Sequence, residues 1–454
     1  MKKCIFLPIE IKRREFLAKL NLAIRLCDCN YQVVLGYQDE EVFFRGLPGF
    51  YLLKDHAYSS ESRIQRIASD RDGIYISALD EEGLITEERA YVNHRGSKSL
   101  LDSMSAVFLW GKEQLDLVSR ISDKKENKYI VGGLSFDIYS KLANLKANIN
   151  KKSKNGPVRI LINTRFPYIN GFRGGGEVEV LKHVGLLKNE SDMQILHSRI
   201  KDDALIFKEF DKLVKALAND DRFFLTIRPH PAEDAELYRE YEKIGSNILV
   251  RDDVRLVDQI LSNDCVVHDG CTTAIEAVAL GVPALGLRPE GLSVHAYNPY
   301  ANKFSINFHN ADELFNYFVE KAGSQNWEKE FVPGIDEYAL QRIANWKNIE
   351  KNCGDSILNV VNDISIRPIA IVRKSSSAFL RTLYHFPKYF LIYLMANSKM
   401  VRHLCSFMLG KNRVNRAIIS RYSSRKKLIS DVKFERLTLS FVLGEIEYRD
   451  VCRP

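Results

Sequence analysis

The sequence has no Cys-x-x-Cys pair. Its eight cysteines (positions 4, 27, 29, 265, 271, 353, 405 and 452) lie scattered, without metal-ligand spacing. They read as free thiols of a reducing compartment, which excludes a disulfide-stapled secreted scaffold. No uncharged apolar run approaches the roughly 18 residues that a membrane-spanning helix needs. The opening MKKCIFLPIEIKRREF has only a short apolar run before Glu10. It reads as a first strand followed by a helix, not as a signal peptide. A cytoplasmic protein is expected.

Acidic residues are missing from two stretches. Residues 367–430 hold 14 Lys/Arg and neither Asp nor Glu, whereas residues 1–366 carry 48 basic and 53 acidic side chains. The formal net charge of +8 therefore comes from the C-terminal tail, and the body is mildly acidic. Within the tail, Phe379, Leu383, Phe386, Phe390 and Leu394 fall near one helical face, which Pro387 splits. A basic amphipathic segment of this kind suits an anionic membrane surface, where each basic residue contributes about 1 kcal/mol. Packing against the body or a partner subunit is the other reading. No groove-reading motif accompanies the charge, so nucleic acid is not expected as a partner. The second stretch, residues 158–176 (VRILINTRFPYINGFRGGG), also lacks any carboxylate. Its three successive glycines read as a flexible loop.

What the sequence does hold is alternation. The chain of 454 residues is 45% hydrophobic and 27% charged, long enough for two or three domains. Short apolar runs at 4–7, 32–36, 51–53, 73–77, 106–110 and 129–132 alternate with helical patterns. One such helix carries Phe16, Leu17, Leu20, Ala23 and Leu26 on a single face. This predicts a doubly wound parallel sheet over residues 1–143. The lysine-rich stretch 145–157 (LKANINKKSKNGP) predicts a linker. A second α/β unit follows over 157–345, with strands at 159–163, 223–227 and 247–250 and a helix at 202–218.

Residues 264–289 (DCVVHDGCTTAIEAVALGVPALGLRP) organise that second unit. A buried strand runs into the turn His268-Asp269-Gly270, then into Thr272 and Thr273, and then into a helix ended by Gly281 and Pro283. The first amides of a helix lack internal partners, so Gly270, Thr272 and Thr273 are candidate phosphate ligands. An ordinary βαβ unit with threonine as N-cap explains the same pattern. His268 serves either as a ligand group or as a histidine satisfied at a strand end. Glu276, one turn into the helix, either reaches a ribose hydroxyl or faces solvent.

Two further motifs stand at strand ends. Asp80-Glu81-Glu82-Gly83 crowds three carboxylates, which raises the proton affinity of at least one and suits a general base. A solvated acidic loop is the alternative. In Arg228-Pro229-His230-Pro231 the prolines stiffen the loop and present His230 in a fixed direction, able to donate to a phosphate beside the charge of Arg228. A histidine bonded within its own turn is the alternative there. Asn163 and Asn170 are candidates for positioning substrate, and Arg165 and Arg173 for binding a donor carboxylate. Asp70-Arg71-Asp72 precedes a strand and reads as a solvated turn. The segment VGGLSFD (131–137) reads as a tight turn, with Asp137 a lesser candidate for a direct role.

An acidic pair with glycine, then His-Pro, then a hydroxyl pair, in that order, resembles the motif set of bacterial sialyltransferases and related CMP-ulosonic-acid transferases, the capsule and O-antigen Kdo transferases among them. The opening MKKCIFLPIEIKRREFLAKLNLA with LDEEG also resembles the family called surface carbohydrate biosynthesis proteins. The likeness covers roughly residues 1–345. It implies a GT-B fold, with two Rossmann-like lobes facing a cleft, and a glycosyltransferase acting from a CMP-sugar without a metal or other cofactor. It makes Glu81 the general base, with Glu82 as runner-up, and gives His230 the CMP phosphate. Arg228, Pro231, His268, Gly270, Thr272, Thr273, Glu276 and Asn163 are the expected donor-binding residues. The expected partners are the CMP-sugar, a glycan or lipid-linked glycan acceptor, and the inner face of the membrane. Retaining Kdo transferases resemble one another in placing an Asp nucleophile in the loop that here lacks carboxylates, so single displacement with inversion is expected. The rivals are a UDP-sugar or CDP-polyol donor on the same fold, and a non-catalytic scaffold at the membrane.

Overall fold

The computed structural model describes residues 3–10, 12–37, 48–57, 64, 73–81, 83–85, 88–94, 97–150, 156–171, 178, 187, 189–230, 232–252, 254–294, 299–324, 331–348, 350, 352–364 and 366. Glu82, Pro231, the Asp70-Arg71-Asp72 turn, Arg173 and the tail 367–430 lie outside the described residues.

The chain forms two compact units. The first comprises Met1–Ile138 and the chain from Arg342 onward, and the second Tyr139–Gln341. Each is built on a six-stranded parallel sheet, so the two Rossmann-like units expected of the GT-B class are both present.

In the first unit, β1 (Cys4–Ile9), α1 (Lys12–Asp28), β2 (Gln32–Tyr37), β3 (Gly49–Leu53), β4 (Ile74–Leu79), β5 (Ala106–Leu109) and β6 (Lys128–Ile130) are followed by α2 (Leu134–Asn150). The strand order is β2-β1-β3-β4-β5-β6. Strands buried on both faces read as unbroken apolar runs, as β3 and β5 do. The stretch predicted as a linker is helical as far as Asn150. Its Ala, Leu and Lys residues are strong helix formers, and that propensity carries α2 beyond its apolar start. β4 runs two residues past the expected Ser77, which sets Asp80 directly at its carboxyl end.

The second unit contains β7 (Val158–Asn163), α3 (Glu190–Leu217), β8 (Phe223–Arg228), β9 (Ile248–Val250), β10 (Cys265–His268), α4 (Thr273–Ala279), β11 (Ala284–Leu287), β12 (Ile306–Phe308) and α5 (Ala311–Ser324). α3 begins twelve residues before the expected start because Asn189 and Asp192 form a reciprocal capping box. The order is β12-β11-β10-β7-β8-β9, so successive strands run outward from β7 on one side and from β10 on the other. A reversal of this kind opens a crevice at the carboxyl ends of the two central strands. Register places Asn163 beside His268 there. The core beneath it includes Ile160, Ile162, Leu213, Leu225, Val267 and Leu285, all essentially without solvent contact. Burying each such side chain contributes about 1.5–3 kcal/mol.

The chain returns to the first unit in α6 (Cys353–Asp363), whose Cys353, Ile357 and Val361 join the core with Leu22, Leu26 and Phe108. Asp137 locks this return. Its carboxylate accepts from the amides of Cys353 (2.7 Å) and Gly354 (2.9 Å) and from Asn345 Nδ2 (2.6 Å). Asn345 in turn grips the backbone of Gly133 through both N–H and C=O. Gly132 has φ +88°, and a Cβ there would sit 2.0 Å from Asn345 Oδ1. The VGGLSFD segment thus clasps the returning chain.

Candidate active site

In the first unit the carboxylate run is described at Asp80 and Glu81. Asp80 and Glu81 face different partners. Asp80 is buried and accepts from Tyr91 Oη (3.3 Å) and Gln114 Nε2 (3.5 Å). Glu81 lies 3.2 Å from Nζ of Lys19, whose ammonium is buried and also donates to Glu15 (2.8 Å) and the Pro8 carbonyl (2.6 Å). An adjacent cation favours the ionised carboxylate. Gly83 closes the motif for a steric reason, since a Cβ there would fall 2.2 Å from Trp110 Cγ.

In the second unit the site is built from the loops that follow β7, β8 and β10. Glu233 ties the first two together. Its buried carboxylate accepts from Thr164 Oγ1 (2.7 Å), the Phe166 amide, the His230 amide (2.6 Å) and Tyr238 Oη (2.7 Å). Burial pushes its proton affinity up, and these four bonds oppose that. His230 therefore sits at a fixed place beyond β8. Its Nδ1 accepts from the Ala232 amide (3.2 Å), which leaves the proton on Nε2 in the neutral ring. Nε2 has no hydrogen-bond partner among the described residues. Burial, then the charges of Arg165 and Arg228, push His230 down to about 4. At neutral pH it is an uncharged donor.

Arg165 supplies the charge. Its Nε lies 3.5 Å from Oδ2 of the buried Asp269, and the side chain is close to half exposed. No described residue accepts from its two terminal nitrogens. Asp269 follows β10, and Gly270 after it has φ +109°, a conformation that glycine adopts without strain.

Several of the expected donor ligands are engaged within the protein. His268 accepts the Gly270 amide at Nδ1 (2.9 Å) and meets Ser305 Oγ at Nε2 (2.7 Å), and burial pushes it down to about 3. It holds the turn. Asn163 Nδ2 donates to Cys271 Sγ (3.3 Å), which also meets Thr273 Oγ1 (2.9 Å). The hydroxyl pair divides: Thr273 is buried and Thr272 exposed. Arg228 donates to the Val254 carbonyl and Gln259 Oε1, both at 2.8 Å. Glu276 accepts from Tyr139 Oη at 2.8 Å. Asp203 of α3, Asp269 and Glu233 were missed as site residues. Asp269 stood inside the quoted turn, but nothing in the sequence joins Asp203 or Glu233 to it.

The charge state of His230 gives a direct check. Titrated by its Cε1–H proton resonance, His230 is expected to have a midpoint near 4 in the free protein. An anion beside it favours the imidazolium, so inorganic phosphate should raise the midpoint and bind more tightly as pH falls.

No family model matches the chain, and no curated protein matches it. Among solved structures it is similar to the UDP-GlcNAc 2-epimerase of Methanocaldococcus jannaschii in complex with UDP-GlcNAc and UDP, at 14% identity over 80% of this chain and 100% of that one, with a TM-score of 0.42. The UDP-GlcNAc 2-epimerase of Neisseria meningitidis bound to UDP-GlcNAc gives 14%, 80%, 100% and 0.44. The wall teichoic acid polymerase TagF gives 10%, 80%, 89% and 0.46. No helix among the described residues is long and apolar enough to cross a membrane.

Proposed function

We propose that the chain is a glycosyltransferase that moves a nonulosonic or Kdo-type sugar from a CMP-activated donor to a surface-polysaccharide acceptor. One observation carries this reading. Two donors without an acceptor among the described residues, the terminal nitrogens of Arg165 and the Nε2–H of a neutral His230, are held by the buried carboxylates of Asp269 and Glu233 just beyond the carboxyl ends of β7 and β8. Open parallel sheets bind ligands at that place. The ordered motif set seen in the sequence supports the CMP-ulosonic donor within that class.

The chemistry follows from the charge states. The acceptor hydroxyl gives its proton to Glu81 as its oxygen bonds to C2 of the donor. The bond from C2 to the phosphate oxygen breaks, and CMP leaves with the electron pair. A nucleoside monophosphate needs little protonation to leave near neutral pH, because its second pKa is about 6. Arg165 and neutral His230 therefore act by stabilising charge and not by handing over a proton. Glu81 lies 3.2 Å from the Lys19 ammonium. The basic residues 367–430 suit an anionic membrane bearing a lipid-linked acceptor.

Thermal unfolding with CMP, CDP, UDP and GDP tests the donor. A ligand of the native state at about 100 times its Kd adds about 2.7 kcal/mol. Stabilisation by CMP alone is expected, followed by transfer from CMP-Kdo or a CMP-sialic acid. Stabilisation by UDP instead would remove the CMP donor, and none at all would remove the transferase reading.

A further inference from the structure

One carboxylate grips the chain on both sides of Arg165 and at His230. Glu233 is buried. Its Oε2 accepts from Thr164 Oγ1 (2.7 Å) and the His230 amide (2.6 Å), and its Oε1 accepts from the Phe166 amide and Tyr238 Oη (2.7 Å). Arg165 thus stands between two residues bonded to the same group that holds His230. The Glu233 amide donates in turn to the His230 carbonyl (2.9 Å), which closes the turn between them. A second strap runs alongside. The Asp234 amide donates to the Asn170 carbonyl (3.1 Å), Asn170 Nδ2 donates to the Asp234 carbonyl (3.0 Å), and Gly171 pairs with Glu233 in a single antiparallel bridge. The side-chain nitrogen of Asn170, expected to position substrate, serves this strap.

The four partners of Glu233 differ in kind. The two hydroxyls can turn and accept, whereas the two backbone amides only donate. Each oxygen takes one amide: Oε1 that of Phe166, in the loop after β7, and Oε2 that of His230, in the loop after β8. Both oxygens must therefore accept, as a carboxylate does. Glutamine would turn its NH2 toward one amide or the other, and either orientation releases one of the two loops.

We propose that Glu233 is the positioning residue of the anion site: it holds the loops of Arg165 and His230 as one unit, so that an anion meets both donors already in place. Ordering completed on folding does not weaken the binding step. The charge of Arg165 is felt at His230, so the two side chains share one electrostatic environment. The role in binding rests on the anion-site reading, whereas the tie between the loops does not.

Residue-resolved hydrogen exchange of the full chain reads the tie without a ligand. Glu233→Ala is expected to quicken exchange at the Phe166 and His230 amides together, and Glu233→Gln at one of them or both. Tyr238→Phe leaves both amides bonded and should quicken neither. Wild-type rates at both amides in Glu233→Ala, or in Glu233→Gln should the alanine variant fail to fold, would overturn the tie. Titration with CMP then reads the role in binding. Glu233→Gln is expected to weaken CMP binding about 10-fold. A donor that is no longer held contributes less. At least one of Arg165→Ala and His230→Ala should therefore cost about threefold less, or smaller still, in the Glu233→Gln background than in the wild type. Unchanged CMP affinity in Glu233→Gln, or losses that multiply in full with both alanines, would make Glu233 a residue of the fold alone and overturn the positioning role. If the wild type binds no CMP, the nucleotide reading fails while the exchange result decides the tie.

Discussion

His230→Ala is expected to weaken nucleotide binding by about 10- to 100-fold, the loss of one hydrogen bond to a charged group at about 1.5–3 kcal/mol. The charge state of the ring sharpens this. With His230 pushed down to about 4, the group removed at neutral pH is a neutral donor and not a cation. The salt dependence of binding should therefore stay near that of the wild type. Arg165→Ala removes a full charge, so it should weaken binding and flatten the salt dependence together. His230→Gln, whose amide offers an N–H, should recover part of the loss. Titration of CMP at two ionic strengths separates the variants. Unchanged affinity in His230→Ala would remove this residue from the site. The alanine itself should be tolerated, because the Ala232 amide loses only a 3.2 Å contact within the loop.

Asp137→Ala is expected to lower the stability of the folded chain by about 3–5 kcal/mol, at roughly 1–3 for each orphaned buried donor with allowance for non-additivity. Three donors are left without an acceptor: the amides of Cys353 and Gly354 and the side-chain nitrogen of Asn345. Two of them begin α6, so the loss falls on that helix and on the core formed by Cys353, Ile357 and Val361. Urea unfolding should show a lower midpoint, and hydrogen exchange should quicken first over 353–363. A ligand residue would behave in the opposite way, with unchanged stability and lost activity. That outcome would return Asp137 to the list of binding residues.

Much of the fold could be read in advance because buried parallel strands must be apolar on both faces. Runs such as CVVH (265–268) and AVFL (106–109) have no other stable home. The start of α3 was also present in the sequence, since Asn189 and Asp192 are a capping box by spacing alone, although the apolar pattern drew the boundary later. Propensity was underweighted over 145–150, where lysine and alanine favour a helix. His230 could be chosen because two prolines flank it and a strand ends before it.

The strand runs, the His-Pro turn and the positive-φ glycine after Asp269 follow from local chain chemistry, so the sequence by itself determined them. Tertiary structure decided which polar atoms remain open. It took His268, Asn163 and Thr273 into internal bonds, left the terminal nitrogens of Arg165 and the Nε2–H of His230 without an acceptor among the described residues, and tied the loops after β7 and β8 together through Glu233. The reason is physical. Strand and helix periods are set within a few residues, whereas hydrogen-bond satisfaction and proton affinity depend on every group that folding brings within reach, whatever its distance along the chain.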